Sequence, residues 1–165
     1  AHDAISVTDK KAFIDHNKCV GCGRCIAICL RDAIVNNSDE SSVVLNRKIA
    51  EYTKAVVDGR PCFHISLVLD LSPNCDCHAE NDAPIAPNVG MFASFDPVAL
   101  DQACADAVIA QPAFPNSVLF DEKCECDRSQ SDLLIANHPN TDWKTCVEHA
   151  EKIGIGSRQY ELIKI

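Results

Sequence analysis

Cys19-Val20-Gly21-Cys22-Gly23-Arg24-Cys25-Ile26-Ala27-Ile28-Cys29 is the stretch from which the rest of this chain has to be read. Two residues separate Cys19 from Cys22 and Cys22 from Cys25, and three separate Cys25 from Cys29. At that spacing a tight loop can turn its thiolates inward from several directions onto one small centre. Gly21 and Gly23 permit the unusual backbone angles such a loop needs, and they let amides point at sulfur. Ile26 and Ile28 are placed to shield the centre from water.

The spacing is that of the bacterial ferredoxin run, with Leu30 where a proline is usual. The expected cofactor is a 4Fe–4S cluster ligated by Cys19, Cys22, Cys25 and Cys29. A zinc site at the same spacing is an alternative, and so are four unligated thiols. A second clue is internal. Asp32-Ala33-Ile34 repeats Asp3-Ala4-Ile5 at an offset of 29 residues. The position matching Cys29 would fall just before Ala1. The chain is therefore expected to be a fragment, cut directly after the last cysteine of an earlier motif of the same kind. In two-cluster ferredoxins the fourth cysteine of each run ligates the other cluster. By that rule Cys19, Cys22 and Cys25 hold one cluster, and Cys29 serves its neighbour. The isolated fragment would then be iron-free, or would use Cys29 as a substitute ligand.

Composition fits this reading. The 165 residues are 47% hydrophobic and 24% charged, so a packed core is expected. The formal net charge of -9 argues against nucleic acid and against anionic membrane surfaces. It favours a redox partner protein with a basic docking patch. Eleven cysteines are many, but the count is odd. Residues 1–11 lack the apolar centre of a signal peptide, and Ile65–Leu71 is too short to span a bilayer. Metal ligands in a reducing cytoplasm are expected.

Two parts follow from the pattern. Residues 1–37 are cysteine-dense with short strand-like pieces, half of a bacterial-type ferredoxin module. Residues 38–165 read as an α/β domain, the C-terminal part of a larger one. A helix is predicted over Ser42–Asp58, with Leu45, Ile49, Tyr52 and Val56 on one face and Gly59 with Pro61 as its stop. Phe63–Leu71 reads as a buried strand, Pro73–Pro87 as a polar loop and Val89–Phe95 as a second strand. Asp96-Pro97 opens a helix that runs to about Ala110, with Asp96 as its cap. Residues 111–140 read as irregular. Thr141 is the expected cap of a last helix whose inner face holds Trp143, Val147, Ala150 and Ile153, stopped at Gly154. Tyr160–Ile165 reads as a closing strand. Strands alternating with helices predict a layered α/β body.

Other candidate sites are weaker. Cys75-Asp76-Cys77-His78, with Glu80, Asn81 and Asp82 beyond it, follows a strand end where open α/β sheets bind ligands. It reads as a metal or substrate site, or as a polar loop with free thiols. Cys124-Glu125-Cys126 mirrors its spacing. It could complete a four-sulfur site with Cys75 and Cys77, or form a disulfide. Cys62, Cys104 and Cys146 lie in apolar elements and read as small core hydrophobes. His64 and His149 read as ordinary, and His138 lies in a turn before Pro139. Asp70, in an apolar strand, needs a partner or an edge position. Gly154-Ile155-Gly156 follows a helix, so it reads as a helix stop and not as a dinucleotide fingerprint.

The chain resembles the C-terminal part of the domain of unknown function 362 family, whose members carry a two-cluster ferredoxin insert. The likeness rests on Cys19–Cys29, Ile49–Tyr52, Phe63–Ile65, Ser72–Cys77, Asn81–Ile85, Ser94–Asp101 and His138–Trp143. It implies iron–sulfur binding and an α/β body, and supplies no substrate. The expectation is electron transfer by a 4Fe–4S centre within a larger redox protein. A metal-dependent enzyme with its site at the Asn74–Asp82 loop, or a structural zinc module, are the alternatives. A second copy of the chain is a further candidate partner, as cover for exposed edges and apolar surface.

Overall fold

The computed structural model describes residues 2–20, 23–29, 33–34, 42–75, 81–121 and 125–165. The chain divides into two compact units, Ala1–Asp39 and Glu40–Ile165.

The first unit opens with a hairpin of β1, Ile5–Thr8, and β2, Lys11–Ile14. The strands are antiparallel, and Thr8 faces Lys11 across a two-residue turn. Asp9 and Lys10 both take left-handed angles, with φ of 51° and 64°. Such a turn twists with the strands it joins. Asp15 then shapes the approach to the cysteine run. Its backbone oxygen accepts from the Lys18 and Cys19 amides at 3.0 and 2.9 Å, and its Oδ1 accepts from Asn17 at 3.0 Å. A single helical turn, α1 (Arg24–Ala27), begins at Gly23, which sits at φ 69°. No described residue of this unit is fully buried, and Val7, Phe13 and Ile28 are exposed.

The second unit contains α2 (Ser42–Val57), β3 (His64–Val68), β4 (Gly90–Ser94) and α3 (Pro97–Ile109). A short 3₁₀ turn at Val118–Phe120 follows, then α4 (Leu133–Asn137) and α5 (Trp143–Lys152). The fold is mixed α/β, but β3 and β4 pair antiparallel, with Ser66 opposite Phe92. Helix α3 packs on this sheet, and α5 packs on α2 and α3. One apolar cluster joins Ala50, Val98, Val147 and Ala150, with Trp143, Ile153 and Ile155 around it. Another joins Ile85, Ala86, Leu119, Leu133 and Ala136.

The carboxylate of Asp96 ties the second unit together. Its Oδ1 accepts from the Val98 and Ala99 amides at 2.8 and 3.0 Å, capping α3 as the sequence led one to expect. Its Oδ2 accepts from the Ser157 amide at 2.8 Å. Asp132, buried, does the same for α4, accepting from Leu134 and Ile135 at 3.1 and 3.3 Å. Its second oxygen accepts from Trp143 Nε1 at 3.1 Å and meets Lys144 Nζ at 3.2 Å, which joins α4 to α5. Helix α5 stops as expected at Gly154, φ 77°. The Ile155 amide reaches back to the Ala150 carbonyl and the Gly154 amide to that of Glu151, both at 3.0 Å.

Several expectations need correction. Tyr160–Ile165 forms no strand. Its first residue and the stretch before it are strapped down by side chains: Tyr160 Oη to Asp106 at 2.9 Å and Arg158 Nε to Glu151 at 3.0 Å. Residues 111–140 are not irregular throughout, since they hold the 3₁₀ turn and α4. Asp142, one residue beyond Thr141, caps α5 by accepting from the Thr145 amide at 3.2 Å. Leu45, Ile49, Tyr52 and Val56 do lie on one face of α2, but that face is exposed. The packed face centres on Ala50, whose small side chain suits close approach by α5. On the sheet, likewise, Ile65, Leu67 and Met91 point outward, and the residues between them are only half-buried.

A Cβ added at Gly156 would lie 1.9 Å from Asp96 Oδ1, the atom that caps α3. Gly156→Ala is therefore expected to lower stability by about 1–3 kcal/mol. Asp96→Ala removes the cap and strands the Ser157 amide, for a loss of about 2 kcal/mol or more. Urea denaturation measures both; a midpoint that stays at the parent value in either variant would contradict the clamp.

Candidate functional site

The cysteine run is built on local geometry. Cys19 leaves the Asp15 turn exposed to solvent, and Cys25 lies half-buried on α1. Both carry free thiols. Cys29 follows α1, half-buried, and its Sγ accepts the Ala33 amide at 3.3 Å. A backbone amide directed at a ligating sulfur stabilises negative charge there. Cys22 lies outside the described residues, as do Cys77, His78, Glu80 and Cys124. Cys75 is exposed at the end of the loop that follows β3. Cys126 is disulfide-bonded and packs against the cluster around Ile85. Among the described residues, no three His, Cys, Asp or Glu side chains form a group able to hold a metal ion.

A second constellation emerges only in three dimensions. The loop after β3, the Asn81-Asp82 stretch and the turn after α4 surround a cavity of about 570 Å³. The Pro73 carbonyl is its anchor, accepting Asn137 Nδ2 at 2.6 Å and His138 Nε2 at 2.7 Å. Asn81 holds the other side of the loop. Its Oδ1 accepts the Asn74 amide at 3.2 Å, and its Nδ2 donates to the Asn74 carbonyl at 3.1 Å. Thr141 Oγ1 donates to the His138 carbonyl at 2.8 Å. Ile85, 1% exposed, pins the base of the loop, its amide bonding the Leu71 carbonyl at 2.8 Å. Asp82 and Glu125 bring carboxylates to the same cavity. Sequence reading singled out Asn81 and Asp82 together, in the loop after β3, and His138 apart from them. It passed over Asn137 and Asn140, although Asn and Pro crowd the turn at 137–140.

A smaller cavity of about 430 Å³ is lined mainly by apolar groups, among them Val68, Leu71, Val108 and Trp143. Asp101, Cys104 and Cys146 also line it. Burial holds both thiols above the ordinary thiol value, and the Asp101 charge adds to this. Hydrogen bonding to Ser66 works the other way at Cys104. Burial likewise raises the Asp101 carboxyl, opposed by His64. Raised thiols are poor nucleophiles and poor ligands, which agrees with a packing role. His149 bonds Glu51 Oε1 at 3.0 Å, between α5 and α2. Asp70 is not a buried carboxylate. It is an exposed turn residue at φ 48° whose amide donates to Asn88 Oδ1 at 2.7 Å.

Two outcomes follow. Cys104 and Cys146 should react with iodoacetamide at pH 8 at least about tenfold more slowly than Cys19; equal rates by mass spectrometry would contradict their burial. Because the folded state favours protonated Asp101, its ionisation weakens the fold as pH rises through the carboxylate range. Asp101→Asn should therefore be more stable than the parent at neutral pH, with the difference gone below pH ~3. Denaturation midpoints at the two pH values check the sign.

Residues 5–106 match the family described as Domain of unknown function (DUF362). Neither the curated proteins nor the solved structures gave a match. Among the described residues, no helix is long and apolar enough to cross a membrane. The chain belongs to the DUF362 family.

Proposed function

We propose that this DUF362 chain supplies Cys19, Cys22 and Cys25 to one 4Fe–4S cluster and Cys29 to a neighbouring one, and passes single electrons within a larger redox protein. The observation that carries the reading is the cysteine run itself, set on a left-handed Gly23 and one helical turn, with the Ala33 amide directed at Cys29. The donor set suits the group, since thiolates at this spacing are the ligands of such clusters. The first unit supports it from another side. With no described residue fully buried, this small unit has little apolar packing of its own, and small modules of that kind are commonly stapled by a metal group. A ferredoxin-like arrangement, with Cys29 serving a neighbouring cluster, is part of the proposal.

When bound, the group supplies one-electron chemistry. The chain's own residues do the rest. Gly23 opens the turn that places Cys25, Asp15 sets the approach of Cys19, and the Ala33 amide stabilises charge on the Cys29 sulfur. The net charge of -9 suits a redox partner that presents a basic patch. A reducing cytoplasm suits the free thiols of Cys19 and Cys25, though not the Cys126 disulfide.

A second reading is favoured by one specific observation. Three separate segments, 73–74, 81–82 and 137–141, close around one cavity, and their own hydrogen bonds hold it open. We read this as a ligand site on the second unit. A metal-assisted reaction there would draw on Asp82, Glu125 and His138.

The test is anaerobic reconstitution with ferrous iron and sulfide, followed by metal analysis and a visible spectrum. In the protein extended upstream, the parent and Cys104→Ala should turn brown and retain iron, and Cys22→Ala should lose both. Equal iron in the two variants would sink the assignment, and zinc without broad visible absorption would turn it into a structural metal site.

A further inference from the structure

We propose that the cavity between the Pro73–Asn74 loop and the Asn137–Thr141 turn takes a small organic cation, a molecule bearing an ammonium or guanidinium group. The inference rests on the second reading above, that this cavity is a ligand site, and does not depend on the cluster.

The hydrogen-bond supply of the lining sets what a ligand must bring. Four of the lining side chains, those of Asn81, Asn137, His138 and Thr141, spend donors on the backbone around the cavity. His138 gives its Nε2 proton to Pro73, and Thr141 gives its hydroxyl proton to the His138 carbonyl. In the neutral imidazole and the hydroxyl, neither group has another proton to offer. Asn137 and Asn81 each commit one amide proton in the same way, to Pro73 and Asn74. What these groups leave over is mostly acceptor: Asn137 Oδ1, the second ring nitrogen of His138 and the Thr141 oxygen lone pairs. Asp82 and Glu125 carry carboxylates, which only accept when ionised. No described lining residue is lysine or arginine.

A ligand that answers such walls brings donors, and its charge, if any, is positive. A phosphate or carboxylate would meet like charge, with no cationic partner among the described lining residues. Size narrows the class further. About 570 Å³ lies in the range of small-molecule pockets and far exceeds what a bare metal ion fills. Arginine-like guanidinium groups and primary amines supply several N–H donors from one positive centre, and carboxylates recognise them through charge-assisted bonds.

The experiment is a titration of ¹⁵N-labelled protein at low salt. The cationic probes are agmatine and 1,4-diaminobutane, the neutral probe is 1,4-butanediol, and the anionic probes are succinate and inorganic phosphate. Both cations should shift the side-chain amide signals of Asn81 and Asn137. Binding should weaken at least about tenfold in Asp82→Asn/Glu125→Gln, whose unchanged backbone spectrum shows that the fold is kept. Equal or stronger shifts of those signals by phosphate or succinate would overturn the cation assignment while leaving the cavity a ligand site. Silence of both signals with every probe would overturn the site and the cation together. Cation shifts that survive the double substitution at full strength would also overturn the proposal.

Discussion

One carboxylate, that of Asp96, fixes the arrangement of the second unit. One oxygen closes the open amides at the start of α3, and the other holds the Ser157 amide, 61 residues further along the chain. The bond has a steric condition as well as an electrostatic one. Gly156 sits so close to Asp96 that any side chain there would displace it. The C-terminal segment is therefore seated by a backbone–carboxylate contact, and Arg158 then locks it through Glu151, whose carboxyl is held below its usual range by the bonds Arg158 donates. Asp132 repeats the device between α4 and α5. Short helices that make little packing surface of their own are positioned here by polar caps that reach a second element.

The same economy shapes the polar cavity. Carbonyl oxygens of the loop after β3 act as the fixed points, and side chains from the turn after α4 converge on them. The Asp132 cap places α4, and hence places Asn137 and His138. A loop that would otherwise need regular structure for support is thus held by amide and imidazole donors.

What the sequence made legible was what depends on neighbours in the chain. Asp96-Pro97, the Gly154 stop and the two short strands of the second unit are each set by local residue chemistry, and they lie close to where they were expected. What escaped depends on distant partners. The apolar stripe of α2 was visible as a stripe, but periodicity cannot say whether anything covers it, and α5 packs on Ala50 instead. The end of the chain looked like a strand because Tyr160, Leu162 and Ile163 suit one, yet its contacts run to side chains of α3 and α5. The convergence of Pro73 with Asn137 spans 64 positions, and no spacing rule reaches that far. The cysteine run stood out by spacing alone, and the Asp15 turn and single helical turn that carry Cys19 and Cys25 are likewise set by near neighbours.

The outward-facing Ile65, Leu67 and Met91, with the Phe63–Phe95 ring pair at 5.0 Å beside them, have a thermodynamic consequence. Surface that is already wet in the folded state adds nothing new when the chain unfolds. The heat-capacity increment and the denaturant sensitivity both scale with newly exposed area. For a chain of 165 residues both should therefore be small, and the stability curve correspondingly flat with temperature. Anything that covered the sheet and the α2 stripe would steepen that curve as well as raise it, because the hidden surface would then have to be hydrated on unfolding.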